Sequence, residues 1–185
     1  DAITSKVGEK RLLEMVSSLA ILGFVVAATA GLYVAGQRSH LRARYYSDAQ
    51  TTIRRALRDV TRTTRMAESV LAKGTTGTLN GQTTNSSQLV LRLQSSPSVV
   101  ECRYYVSNGV LYKQTSADAA PGTALLSGVV SLTFSYYTTL AGTRASASAN
   151  PAKASEVEIV LRARSGTVTT GLTAYVTIRQ VIAGS

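Results

Sequence analysis

The sequence is poor in the residues that build most catalytic and metal sites. Its 185 residues include one cysteine, Cys102, and one histidine, His40. A single cysteine excludes an intrachain disulfide and a cysteine-rich metal site. With one histidine as well, most combinations of a nucleophile with a base are excluded. We therefore expect a protein that is not an enzyme and that uses no cofactor and no metal.

Acidic residues are also scarce. The chain has 10 acidic and 20 basic residues, which gives a formal net charge of +10. Such an excess favours polyanions such as nucleic acid, lipid head groups or acidic polysaccharide. A solvated basic surface explains the same charge equally well, so the composition alone does not choose a partner.

Charge is absent altogether from one long run near the beginning of the chain. Residues 15–36 form an uncharged stretch of about 22 residues, and a helix needs roughly 20 to cross the hydrocarbon layer. Three interpretations compete: a removable signal peptide, a single-span anchor and a rod that bundles with other rods. The run continues past residues 28–30, the small residues that would serve as a signal-peptide cleavage site.

The helical pattern continues beyond the apolar run. No proline or turn cluster follows until Gly74, and apolar residues recur at spacings of three and four, as in an amphipathic helix. The members of this stripe are Tyr46, Ala49, Ile53, Ala56, Leu57, Val60, Ala67, Val70 and Leu71. The opposite face carries Arg54, Arg55, Arg58, Arg62 and Arg65. We predict one helix over residues 12–73, with its second half packed on the rest of the chain.

After Gly74 the pattern changes to short alternating segments typical of strands. The predicted strands cover residues 88–94, 99–106, 110–115, 129–138, 156–164 and 172–181. Asn108-Gly109 should close a hairpin, because both residues tolerate positive φ. Residues 139–155 are predicted to form a long polar loop. Strands that follow one long helix indicate an α+β fold with an antiparallel sheet.

The chain therefore divides into four predicted segments. These are a basic N-terminal segment (1–11), an apolar helix half (12–37), an amphipathic helix half (38–73) and a β part (74–185), with 38–185 as one soluble unit. Basic residues flank the apolar run on both sides, so their count does not orient it across a membrane. We expect the C-terminal part outside, because it looks like an exported β domain.

The segment LLEMVSSLAILGFVV at residues 12–26 resembles the N-terminal segment of type IV pilins and pseudopilins. Further along, QTTIRRALRDVTRTTRMAESV, VSNGVLYKQTS, VVSLTFSYY, EVEIVLRAR and AYVTIRQ are similar, in order, to minor pilins and J-type pseudopilins. The processing site departs from the family pattern. Gly8, the candidate for leader cleavage, precedes Glu9-Lys10-Arg11 instead of an aromatic residue, and Glu14 follows it one position later than in the family.

The resemblance implies a structural subunit of a type IV pilus-like or pseudopilus filament. Apolar helix halves would bundle and β parts would coat the bundle, in an extracellular or periplasmic filament. The implied partners are copies of the chain or other pilins, the inner membrane before assembly, and the pilus or secretion assembly machinery. The implied roles include adhesion, protein secretion and DNA uptake. The candidate residues for packing in the bundle are Leu12, Leu13, Leu19, Ile21, Leu22, Gly23, Phe24, Gly31 and Val34.

Glu14 needs a partner, because a carboxylate at the edge of an apolar helix is costly unless it is paired or neutralised. One interpretation pairs it with Lys10, one turn back on the same helix. The resemblance implies instead that Glu14 meets the N-terminal amine or a basic residue of a neighbouring subunit. Such a contact would set the axial register of the bundle.

Two alternatives to a structural subunit also arise from the sequence. The first is a membrane- or filament-tethered module that binds DNA through the five arginines of the helix and through Tyr104, Tyr105, Tyr136 and Tyr137. The second is an anchored enzyme, for which His40 is the only histidine available. Salt-dependent DNA retention separates the first alternative from a purely structural role.

Overall fold

The computed structural model of the chain describes residues 2–94, 98–140, 143–147 and 149–178. Within these ranges it describes the side chains except those of residues 2–11, 13, 94, 139 and 140. The chain forms two compact units, Asp1–Arg44 and Tyr45–Ser185. The second unit begins at Tyr45, and the predicted soluble unit 38–185 stays a prediction. Residues 38–48 are exposed, and Ala49 is the first buried residue among the helix side chains that the structure describes.

One α-helix, α1 (Ala2–Met66), accounts for the N-terminal third of the chain. Its apolar part is long and hydrophobic enough to cross a membrane once. From Ala49 onward one side of the helix is buried. Ile53 and Val60 have no exposed surface, and Ala56 and Leu57 are nearly as well covered. This confirms the predicted stripe at these positions, whereas Tyr46, also assigned to it, is exposed.

The helix ends earlier than predicted, at Met66 and not at Lys73. The backbone N–H of Ala67 donates to the carbonyl of Thr64, and the next residues leave the helix. The N–H groups of Glu68 and Leu71 then donate to the carbonyls of Arg92 and Val90, at 2.8 and 2.9 Å. Residues 69–70 form a strand because a neighbouring strand supplies hydrogen bonds that replace those of another helical turn.

In the part of the chain that the structure describes, nine strands follow the helix, arranged in two antiparallel sheets. The strands are β1 (Ser69–Val70), β2 (Gln88–Gln94), β3 (Val100–Ser107), β4 (Val110–Thr115), β5 (Thr123–Ser127), β6 (Val129–Leu140), β7 (Thr143–Ser146), β8 (Glu156–Ser165) and β9 (Val168–Thr177). The first sheet has the order β1-β2-β3-β4-β5, and the second has the order β7-β6-β8-β9. All neighbouring strands of both sheets are antiparallel. Short 3-10 helices at Gly77–Leu79 and Pro151–Lys153 lie in the connections.

The predicted hairpin is confirmed. Ser107 pairs with Val110 across the turn, and Asn108 and Gly109 have φ values of 50° and 70°. Positive φ at both central residues matches the right-handed twist of the flanking strands. The hairpin joins β3 to β4 in the middle of the first sheet, where both strands are paired on both sides.

Several strand predictions need correction. The polar loop predicted at 139–155 contains β7, and β1 and β5 were not predicted at all. Strand β9 begins at Val168 and ends at Thr177, whereas the prediction placed it at 172–181. Residues 179–181 of that prediction lie outside the described residues. The sheet is also divided into two, because β6 begins a second set of pairings with β8.

A single hydrophobic core joins α1 to both sheets. It includes Ile53 and Val60 from the helix, Leu91 from the first sheet, and Phe134 and Ile159 from the second. The backbone of the second sheet also contacts the loop that precedes β2, since the N–H of Phe134 donates to the carbonyl of Ser86 at 2.8 Å. The molecule is therefore an α+β protein in which one long N-terminal helix packs on antiparallel sheets, as the sequence predicts.

Candidate assembly surface

Among the candidate packing residues whose side chains the structure describes, none is buried within the chain. The exposed fraction of Leu12, Leu19, Ile21, Leu22, Phe24 and Val34 ranges from 48% to 77%. Large apolar side chains in this number are stable only when lipid or protein covers them, because apolar surface exposed to water is unfavourable. Leu13 and Gly8 also lie in α1, and the side chain of Leu13 is outside the described residues. Cleavage at Gly8 stays a prediction.

Small residues recur at every fourth position of the apolar half. Gly23, Ala27, Gly31 and Ala35 follow this spacing, which places them along one side of the helix. A Cβ atom built at Gly23 or Gly31 would meet no atom of the chain within 4 Å. Nothing inside the unit therefore requires glycine there. Small residues at this spacing are typical of helices that approach each other closely in membranes, and the spacing was readable in the sequence.

Glu14 is exposed on the first half of the helix, in the same segment as the apolar side chains. Its backbone carbonyl accepts hydrogen bonds from the hydroxyls of Ser17 and Ser18, at 3.0 and 2.8 Å. These bonds use the hydroxyl protons of both serines locally, so neither hydroxyl is free to donate to a neighbour. The carboxylate of Glu14 is then the main polar feature that this part of the helix can present.

The arginine face of the helix (Arg54, Arg55, Arg58, Arg62 and Arg65) points away from the core, and all five residues are exposed. Arg54 donates a hydrogen bond to the side-chain oxygen of Gln50 at 3.2 Å. In the described part of the chain, no salt bridge involves any of the five. The face is therefore a row of exposed cations along one side of the helix.

Carboxylates of the same unit are engaged elsewhere. Asp59 accepts hydrogen bonds from the Tyr104 hydroxyl at 2.9 Å and from Lys113 Nζ at 3.1 Å, which ties the helix to the first sheet. Glu156 pairs with Arg144 at 3.2 Å, and Glu158 accepts from the Tyr137 hydroxyl at 2.8 Å. Because Asp59, Glu156 and Glu158 have these other partners, none of the three forms an ion pair with the arginine face.

Glu101 is the most deeply buried carboxylate in the described residues, and no sequence pattern indicates its role. Its oxygens accept hydrogen bonds from the Thr75 N–H at 2.9 Å, the Thr75 hydroxyl at 2.6 Å and the Thr76 N–H at 3.2 Å. Burial opposes ionisation of Glu101, but these hydrogen bonds outweigh it and lower the pKa below its usual value. The ionised carboxylate of Glu101 therefore holds residues 75–76, which follow the helix, against β3 through hydrogen bonds.

Two of the tyrosines proposed to stack on nucleic acid are unavailable, which corrects that part of the prediction. Tyr104 and Tyr136 are buried, and their hydroxyls donate to Asp59 and to the backbone carbonyl of Asn85. Tyr105 and Tyr137 are half-buried, with the guanidinium groups of Arg103 and Arg144 at 3.7 and 3.6 Å from their ring centroids. The arginine face accordingly lacks these aromatic rings as a stacking platform.

The described residues contain no group of three histidine, cysteine, aspartate or glutamate side chains placed to hold a metal ion. Cys102 is buried in the core, and this burial raises the pKa of its thiol to about 12. The thiol is therefore protonated at neutral pH. His40 is exposed on the helix.

A comparison with protein-family models found no match, and a comparison with characterised proteins found no relative.

Proposed function

We propose that the chain is a structural subunit of a type IV pilus-like or pseudopilus filament, assembled by bundling of the apolar halves of α1. The observation that carries the proposal is the uncovered apolar surface between Leu12 and Val34 on a helix whose later part packs in a core of its own. A membrane can cover this surface before assembly, and neighbouring helices can cover it afterwards. The resemblance of residues 12–26 to pilins supports the filament over a permanent anchor.

The spacing of glycine and alanine along the apolar half also supports bundling. A helix that only anchors a domain in lipid has no need for Gly23 and Gly31, since Leu or Val would contact lipid equally well. Contacts between one side of a helix and a different side of the next copy do not close into a ring unless the rotation allows it. Repetition of such contacts generates a helical filament.

The experiment is to shear surface filaments from cells that express the chain, to image them, and to identify their subunits by mass spectrometry. We expect the chain in the filaments as well as in the membrane fraction. A matched strain that carries Gly23→Leu and Gly31→Leu should retain the membrane pool and lose the filament pool. A chain confined to membranes in the unmodified strain would contradict the proposal and favour a single-span anchor.

DNA binding is the second candidate function, and the exposed arginine face favours it. Five guanidinium groups on one helix face can neutralise phosphates, and each phosphate contact makes the affinity fall with salt. We expect the full chain in neutral detergent to retain DNA at low salt, with a reduced slope of log affinity against log salt for Arg58→Gln with Arg62→Gln. Equal slopes for the variant and the unmodified chain would exclude the arginine face as the contact.

A further inference from the structure

Strand β9 is a long and unprotected edge strand. It lies at the end of the second sheet, covers Val168–Thr177, and contains neither a proline nor a charged residue in its sequence VTTGLTAYVT. Proteins usually protect such edges with charge, proline, a bulge or a short length, because unpaired backbone groups invite another strand. None of these devices is present in β9.

The other edges of the two sheets are short or closed. Strands β1, β7 and β5 have two, four and five residues. The part of β6 that extends beyond β7 is closed by hydrogen bonds to loops: the N–H groups of Val129 and Phe134 donate to the carbonyls of Gly109 and Ser86, both at 2.8 Å. Strand β9 is thus the exception in a fold that otherwise protects its edges.

The direction of the free backbone groups in β9 follows from one hydrogen bond. The N–H of Ile178 donates to the carbonyl of Ser155, so Ile178 and every second residue before it face β8. The backbone groups of the alternate residues point away from the sheet. These residues are Thr169, Gly171, Thr173, Tyr175 and Thr177. Across residues 2–94, 98–140, 143–147 and 149–178, no hydrogen bond to their outward backbone groups is present.

The core beneath β9 is also incompletely covered. Leu172 and Ala174 point inward and pack against the hydrophobic core, yet both remain partly exposed. An additional strand beside β9 would extend the sheet over them. The edge therefore offers apolar burial as well as backbone hydrogen bonds.

We infer that β9 docks against β9 of a second copy of this chain, in an antiparallel pair with Thr173 on the twofold axis. The charges on the outer face of β8 favour this occupant and this direction. Glu156 and Glu158 lie at one end of β8, and Arg162 and Arg164 lie at the other. Antiparallel pairing of two copies places the acidic end of one sheet in line with the basic end of the other, whereas parallel pairing aligns like charges.

The register follows from the fit of Tyr175 to Gly171. With Thr173 opposite its own counterpart, Tyr175 of one copy stands opposite Gly171 of the other, which has no side chain of its own. A Cβ atom at Gly171 would lie 2.8 Å from Cγ of Arg162, so the Arg162 side chain passes over this glycine. The Arg144 guanidinium of the same chain lies 5.0 Å from the centroid of the Tyr175 ring, and the exposed part of the ring can meet the Arg162 guanidinium of the second copy in a further cation–π contact. Inside, Leu172 comes opposite Ala174.

This contact lies entirely within the Tyr45–Ser185 unit, so it is independent of bundling through the apolar helix. The full chain in detergent micelles can test it with spin labels on Thr173→Cys and, as the matched control, on Thr133→Cys. Both threonines are exposed on the same sheet face, and the native Cys102 is buried. Thr133, Val160 and Thr173 lie in one row across β6, β8 and β9.

The inferred pair fixes two distances. The Cα atoms of Thr173 in the two copies should lie about 5.5 Å apart, because they form a hydrogen-bonded antiparallel pair. The Cα atoms of Thr133 should lie five strand spacings apart, about 24 Å at about 4.8 Å each. We expect strong dipolar broadening for labels at position 173 and a separation near 24 Å, allowing for label length, at position 133. Bundling of apolar helices alone would not produce this pair of distances.

A second variant tests whether the edge itself makes the contact. Thr173→Lys places a charge at the twofold axis without burying it, so the fold should persist while the 24 Å signal from labels at position 133 is lost. Thr173→Val keeps the β propensity and should retain the signal. Absence of both distances in the unmodified background, or survival of the 24 Å signal in Thr173→Lys, would overturn the inference.

Discussion

Glu14 presents the sharpest choice between two roles for a single residue. If it pairs only with Lys10, Glu14→Ala should cost about 0.2–0.5 kcal/mol of helix stability and leave assembly intact. If it sets the register between subunits, its loss removes the polar contact that penalises a shifted bundle. On the proposed function we expect about a tenfold fall in the ratio of filament to membrane protein, equivalent to about 1.4 kcal/mol per subunit.

The ratio can be measured by quantitative immunoblotting of sheared filaments and membranes. Glu14→Gln keeps the size of the side chain and removes its charge, so it should behave like Glu14→Ala. Membrane insertion should be unchanged or improved in both variants, because a carboxylate has left an apolar segment. If the ratio of filament to membrane protein is unaltered, Glu14 does not set the register between subunits.

The lowered pKa of Glu101 predicts that the stability of the folded protein depends on pH. Its pKa in the folded protein is lowered from a usual value of 4.5, so the unfolded chain binds the proton more readily. The stabilisation is therefore present above pH 4.5 and is lost as the pH falls through the folded pKa. Glu101→Gln should cost about 1–3 kcal/mol at pH 7, because one side-chain oxygen is replaced by an NH₂ group facing the Thr75 and Thr76 donors.

Thermal unfolding of the full chain in detergent, followed by near-ultraviolet circular dichroism, measures this effect. The difference in stability between the unmodified protein and Glu101→Gln should shrink between pH 7 and pH 3. As a control, Glu156→Gln changes a carboxylate that is paired near the surface with Arg144, and it should cost about 1 kcal/mol or less. A difference for Glu101→Gln that does not change with pH would contradict an ionised Glu101.

At the scale of elements, the buried stripe of α1 determines which helix substitutions are tolerated. Ile53 has no exposed surface, whereas its neighbour Arg54 is exposed. Ile53→Asp should destabilise the protein by roughly 4 kcal/mol, since it places a carboxylate in the core without a partner. Arg54→Asp should change the stability by about 0.5 kcal/mol or less. Chemical denaturation of both variants checks the contrast, and equal damage would mean that the stripe is misassigned.

The elements that the sequence predicts well are those whose pattern is local. Strands β2 and β4 have the predicted bounds, and Asn108-Gly109 forms the predicted turn, because alternation and turn chemistry operate over a few residues. Strands β1 and β7 have two and four residues, too few to show a period. They exist because β2 and β6 offer hydrogen-bonding partners, which only the tertiary structure reveals.

The candidate surface was predictable to a similar degree. The apolar segment and the arginine face follow from composition and helical spacing, and both are exposed as those patterns require. The burial of Glu101, Tyr104 and Tyr136 could not be foreseen, because a polar group can be buried wherever the fold supplies it with hydrogen bonds. Those partners come from segments distant in sequence, such as Thr75 for Glu101 and Asp59 for Tyr104.

At the scale of the whole molecule, the two units should be separable. Removal of residues 1–37 eliminates the exposed apolar side chains from Leu12 to Val34 and leaves the core that joins the helix to both sheets. We expect residues 38–185 to be soluble without detergent and to show both helix and strand by circular dichroism. A fragment that is unfolded, or that still sediments with membranes, would contradict the two-unit organisation.

The order of elements along the chain has a consequence for synthesis. The stripe around Ile53 and Val60 leaves the ribosome before every strand that covers it, and one of its core partners, Leu111, comes roughly 50 residues later. At a synthesis rate of about 5–20 residues per second, the apolar stripe stays exposed for several seconds before the strands that bury it have been made. During that interval the nascent chain is most vulnerable to wrong association. Slower translation through residues 61–111 should therefore increase the need for chaperones more than an equal delay after residue 165.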